Sequence, residues 1–105
     1  MNQRDISLDL LRKLENNPKY TQRELSREMG VSLGKVNYCM KKLFDKGLLK
    51  LSNFRSNSNK SRYIYLLTSK GIEQKTKLTI SFIERKLKEY DELKAEIQSL
   101  QEDVE

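Results

Sequence analysis

Residues 21–47, TQRELSREMGVSLGKVNYCMKKLFDKG, decide how this chain folds. Thr21 and Glu24 form a T-x-x-E capping box, in which hydroxyl and carboxylate each take a free backbone N–H at a helix start. Leu25 and Met29 stand four apart and share a helical face. Gly30 follows as a left-handed C-cap, where a Cβ is penalised. Ser32 can cap a second helix. In that helix Val36, Met40 and Leu43 recur at spacings of 4 and 3, an apolar stripe for a core. Gly47 ends it. Two short helices joined by so tight a turn make a helix-turn-helix.

The opposite face of the second helix carries Ser32, Leu33, Gly34, Lys35, Asn37, Tyr38, Lys41 and Lys42. None is acidic. Asn37 and Lys35 suit base edges, Asn for adenine and Lys for guanine. Such a face fits a recognition helix in a major groove, with Ser32, Lys35, Asn37 and Tyr38 towards the bases. Lys41 and Lys42, with Arg23 and Arg27 of the first helix, are placed for phosphates, which position but do not specify.

Working outward, Ile6, Leu10, Leu11 and Leu14 give an N-terminal helix one broad apolar face. It is expected from Asp5 or Ser7 to about Asn16, with residues 1–4 frayed. Asn17 precedes Pro18 and is biased out of the helical region. Tyr20 is expected to pack on Leu25 as a hydrophobic staple. Beyond Gly47, residues 48–54 and 62–67 read as two strands around a polar loop, 55–61. That hairpin is a wing. Its Arg55, Lys60 and Arg62 are expected at a neighbouring minor groove or its phosphates.

Thr68 is expected to cap a long helix running from Gly71 to about Gln101 with no proline and no further glycine. Ile80, Ile83, Leu87 and Tyr90, then Leu93, Ile97, Leu100 and Val104, form an apolar seam with a stammer between Tyr90 and Leu93. A lone amphipathic helix of that length is marginal in water. The seam is therefore expected to pair with a second copy, parallel or antiparallel, or to fold partly back on the body. The fold class is mainly α with a small β-hairpin: a winged helix-turn-helix over 1–70, then a dimerisation helix over 71–105.

Composition agrees. The chain has 105 residues and a formal charge of +6. Residues 1–75 hold 16 basic against 7 acidic side chains, and residues 76–105 hold 5 against 8. A basic body implies a polyanionic partner such as double-stranded DNA. With one cysteine and no histidine, internal disulfides and the common zinc patterns are excluded. No metal or cofactor is expected, and any small-molecule effector is unknown. No nucleophile–base pair or glycine-rich phosphate loop suggests an enzyme. No apolar run reaches the ~20 residues of a membrane span, and a cytoplasmic location is expected. Cys39, beside Met40, reads as a small core residue rather than a redox sensor.

The order of elements resembles the MarR family of bacterial transcriptional regulators, over about residues 5–97. The residues that carry the likeness are TQRELSREMGVSLGKVNYCMKKLFDKGLLK and YLLTSKGIE. Within that family, VSLGKVNYCMKKL with KGLLK, NFR and YLLTSKGIE is similar to the regulators associated with exopolysaccharide genes. The wing's Asn53-Phe54-Arg55 keeps the family's arginine without its acid, and Tyr38 stands where an arginine is usual. The resemblance implies a homodimeric, sequence-specific DNA-binding regulator. The competing reading is a protein-interaction module without specific DNA binding.

Overall fold

The computed structural model describes residues 2–55 and 61–104, apart from the side chains of 54, 55, 61 and 62. Four helices and one hairpin follow in order: α1 Gln3–Asn16, α2 Gln22–Met29, α3 Leu33–Asp45, β1 Leu49–Arg55, β2 Ser61–Leu67 and α4 Ser69–Val104. This is a winged helix-turn-helix with a long C-terminal helix, the expected class.

The start of α1 departs from expectation. Asn2 accepts the backbone N–H of Asp5 at 2.9 Å, so the helix begins at Gln3. Of the residues expected to fray, 2–4 are held by this cap. At the other end, the Asn17 side chain accepts from Lys19 N–H at 3.1 Å and turns the chain towards α2.

The helix-turn-helix is closed at every joint. Thr21 accepts from Glu24 N–H as expected of a cap, but the Glu24 carboxylate takes the Thr21 hydroxyl at 3.0 Å where the capping box expected it on a backbone N–H. Gly30 takes φ +67° and Gly47 φ +72°, the left-handed values that favour glycine. Around Gly47, the N–H groups of Gly47 and Leu48 reach back to the carbonyls of Phe44 and Leu43, each at 2.9 Å. That is a Schellman closure of α3. Ser26 donates its hydroxyl to the Val31 carbonyl at 2.5 Å and locks the turn between α2 and α3.

Ile6, Leu10, Leu11 and Leu14 of α1 bury their face against Leu25 and Met29 of α2 and Val36, Cys39, Met40 and Leu43 of α3. Leu48 and Leu49 complete the cluster, and Tyr20 packs against it. Burial of one such side chain stabilises by about 1.5–3 kcal/mol. Cys39 is a core residue, 1% exposed. Leu8 is also buried, on a different side of α1, where it shares a cleft with Phe82 of α4.

The hairpin pairs antiparallel from Leu49 opposite Leu67 to Arg55 opposite Ser61. The strands lie within one residue of expectation. Thr68 ties the hairpin's exit to the end of α3. Its hydroxyl donates to the Gly47 carbonyl at 2.6 Å, and its N–H donates to Leu48 O at 3.1 Å. The same hydroxyl accepts from Gly71 N–H at 3.0 Å and caps α4. Gly71 is buried against the Leu48 carbonyl, where a Cβ would collide with backbone.

The first half of α4 lies along α1. Lys75 pairs with Glu15 and Arg85 with Asp5, both at 2.7 Å. The partners are ten residues apart on each helix, and the two pairs run in opposite order along the chain. They therefore fix an antiparallel register. Leu78 packs against the core between them. Past residue 86 every described α4 residue is exposed. The molecule is 71 Å long and 24–26 Å across. None of the described helices is long and apolar enough to cross a membrane.

Candidate nucleic-acid interface

α3 is anchored by one face and open on the other. Val36, Cys39, Met40 and Leu43 fix its rotation in the core. At about 100° per residue, that rotation turns Gly34, Tyr38 and Lys41 directly outward. Ser32, Lys35, Asn37, Tyr38 and Lys41 are all exposed, and Lys42 is half-buried. The structure thus brings the proposed α3 residues onto one surface. Arg23 and Arg27 are exposed on α2.

Each side chain has a definite setting. The Ser32 hydroxyl accepts Lys35 N–H at 3.1 Å, so it is first a cap. Tyr38 is 51% exposed. Its ring has the Lys42 ammonium 4.8 Å from its centroid and that of Lys35 at 5.9 Å. These are cation–π distances, and they hold two positive charges beside an aromatic face. Gly34 has open space where a Cβ would stand. Nothing in the protein forbids a side chain there, and the bare backbone is left for close approach from outside.

Asn37 does not stand alone. Its Nδ2 donates to Oε1 of Gln22, the first residue of α2, at 3.2 Å. Sequence reading missed Gln22, since a contact fifteen residues away has no local signature. It also missed Tyr63 on β2, which is 70% exposed. With Lys19, Arg23 and Leu33, Gln22 and Tyr63 line an open cleft of about 490 Å³ between the starts of α2 and α3 and the wing. Tyr20, at the back of this cleft, donates to Glu28 at 2.6 Å. That bond to a carboxylate raises the Tyr20 pKa above its ordinary value.

Lys60 and the side chains of Arg55 and Arg62 lie outside the described residues. On α4, Ile80, Ile83, Leu87, Tyr90, Leu93, Ile97 and Leu100 are all exposed, between 48% and 61%. Among the described residues, no group of His, Cys, Asp or Glu is arranged to hold a metal ion.

Comparison with known proteins gives the same class. The family described as winged helix-turn-helix DNA-binding matches residues 3–50, which span α1, α2, α3 and the first strand residues. This part of the chain is thus similar to the winged helix-turn-helix of that family. No curated protein matches the sequence. Among solved structures, a PadR-like transcriptional regulator from Bacillus cereus superposes with a TM-score of 0.73 at 20% identity, covering 84% of this chain and 90% of that one. The PcaV transcriptional regulator from Streptomyces coelicolor gives 0.69 at 20% identity, covering 94% and 71%. MarR from Staphylococcus aureus gives 0.57 at 19% identity, and there the match covers 84% of this chain but 56% of the longer protein. At these identities the likeness is one of fold.

Proposed function

We propose that this protein is a sequence-specific regulator of transcription that binds double-stranded DNA as a homodimer. The observation that carries the reading is the outer face of α3 from Ser32 to Lys42: largely exposed, free of acids up to Asp45 at the far end of the helix, and held in fixed rotation by a buried stripe. In this reading α3 lies in the major groove. Ser32, Lys35, Asn37 and Tyr38 meet base edges, while Arg23, Arg27, Lys41 and Lys42 meet phosphates. The cleft between α2, α3 and the wing receives the sugar–phosphate strand beside that groove, and Arg55, Lys60 and Arg62 extend the contact towards the minor groove.

The apolar seam of α4 supplies the second copy, so two heads read a pseudo-palindrome with half-sites about one helical turn, ~10 bp, apart or a multiple of it. By its resemblance to the exopolysaccharide-associated regulators, the chain controls genes of polysaccharide synthesis. The Bacillus cereus and Streptomyces coelicolor neighbours are named as transcriptional regulators, which supports the role in transcription.

The test is selection of genomic fragments by the purified protein, followed by titration of the selected and a scrambled duplex across salt. One enriched inverted repeat, bound with steep salt dependence, is expected. Recovery of no preferred sequence would favour the protein-interaction reading instead.

A further inference from the structure

We infer that the second copy lies antiparallel on α4, with the two-fold axis at Tyr90. Two independent features of the helix point there. The first is its spacing. The seam Ile80, Ile83, Leu87, Tyr90, Leu93, Ile97, Leu100 advances by 3, 4, 3, 3, 4, 3 residues. A parallel pair accepts any pattern, because each layer meets its own copy. A regular 3-4 repeat also serves an antiparallel pair, but a seam broken once does so only if the break falls on the two-fold axis. The stammer at Tyr90 therefore fixes that axis, and Val104, 87% exposed, lies beyond the paired layers. Ile80 then faces Leu100 of the second copy, Ile83 faces Ile97, Leu87 faces Leu93, and Tyr90 meets Tyr90. All of these side chains are about half exposed in the single chain.

The second feature is charge. Residues 70–88 carry six basic and two acidic side chains, and residues 89–105 carry one and seven. Lys75 and Arg85 are engaged with α1, yet the first half keeps a positive surplus without them. Parallel pairing would stack the acidic half on its copy. Antiparallel pairing lays acidic on basic. At the positions flanking the seam, Glu84 meets Lys94 of the second copy and Lys86 meets Glu96, each twice by symmetry. Like charges approach only at the axis, around Glu89 and Asp91. Opposite-charge pairs flanking a coiled-coil seam set orientation and partner choice.

The inference rests on the reading that a second copy covers α4, but not on DNA binding. The full-length protein is spin-labelled at Gln101→Cys or, separately, Asp91→Cys; buried Cys39 makes the unmutated chain the labelling control. At a rise of ~1.5 Å per residue, the antiparallel dimer places the Gln101→Cys labels about 33 Å apart along the axis and the Asp91→Cys labels within about 15 Å laterally. A parallel dimer brings both below about 15 Å, the spacing of adjacent helices plus labels.

Lys86→Glu is expected to weaken dimerisation several-fold, and Glu96→Lys in the same chain to restore it. A short distance at Gln101→Cys, a monomer mass at tens of micromolar, or no rescue in the double variant overturns the antiparallel dimer. A monomer that still selects an operator would overturn this inference and leave DNA binding standing. An antiparallel dimer with no DNA preference would do the reverse.

Discussion

The side-chain amide of Asn37 donates to that of Gln22 at 3.2 Å, joining the outer face of α3 to the first residue of α2. One Nδ2 hydrogen is taken, so the amide's orientation is set before any ligand arrives. The remaining N–H and the Oδ1 are the two atoms an adenine edge requires. Asn37→Ala is expected to cost about 1–3 kcal/mol of discrimination at one base pair. Gln22→Ala is expected to blunt preference at that same base pair by a smaller amount, with affinity for unrelated duplexes unchanged. Competition against single-base operator variants measures both. A uniform loss across all sequences would mean that Gln22 holds phosphate rather than Asn37.

Gly34 offers a test in which stability and binding move in opposite directions. A methyl group there meets nothing in the protein. Alanine is the better helix former by up to about 1 kcal/mol, so Gly34→Ala should raise the melting temperature. If DNA approaches this bare backbone, affinity should fall. Thermal denaturation and a binding titration on one preparation decide it. A stabler protein with unchanged affinity would place the DNA elsewhere on α3.

The lysines of α3 are expected to act through counterions. Replacing Lys41 by Ala should lower the slope of log affinity against log salt by about 1, on operator and random DNA alike. Lys35→Ala should also change sequence preference. Titrations between low and moderate salt separate the two behaviours.

Gly71 makes the opposite case to Gly34. Its helix start is pressed onto the Leu48 carbonyl. Gly71→Ala forces backbone apart where α4 leaves the hairpin, and overpacking of this kind typically costs about 1–3 kcal/mol. Denaturant unfolding should show the loss.

The Asp5–Arg85 pair predicts a pH dependence. The Arg85 hydrogen bond holds the Asp5 carboxyl below its ordinary pKa of 3.8, against a smaller opposing effect of burial. A carboxyl whose pKa is lower folded than unfolded stabilises fully above the unfolded value. That contribution is lost as pH falls through the folded one. The gap in unfolding free energy between the natural chain and Asp5→Asn should therefore be present at neutral pH and close on acidification below 3.8. Its size should be no more than about 1 kcal/mol, as for partly exposed pairs.

These cases show what a linear sequence carries. Thr21 with Glu24, Gly30, Ser32 and Gly47 announce caps because the physics of a helix end is local. The stripe of Val36, Met40 and Leu43 announces a buried face because its period is local too. The pairs Asp5–Arg85 and Glu15–Lys75 span 80 and 60 residues. Nothing near either partner marks them out among 21 basic and 15 acidic side chains. Leu8 was illegible for a related reason: it falls outside the main stripe of α1 and is covered only once α4 returns. Asn2 was misjudged because terminal residues usually fray, yet here an asparagine side chain reaches a free N–H in the first turn, that of Asp5.

The mounting of α4 also has a mechanical side. Its base is clamped at Thr68 and Gly71 to the end of α3, and its first five turns are bolted to α1 by ion pairs at Lys75 and Arg85. Residues 86–104 are then a stiff arm about 28 Å long beyond the last of these pairs. A tilt of some 5° at Arg85 would sweep its tip through roughly 2.5 Å at that length. Anything that grips the far end acts on α1 through that lever, and a sub-ångström slip between α1 and α4 is magnified before it reaches the tip.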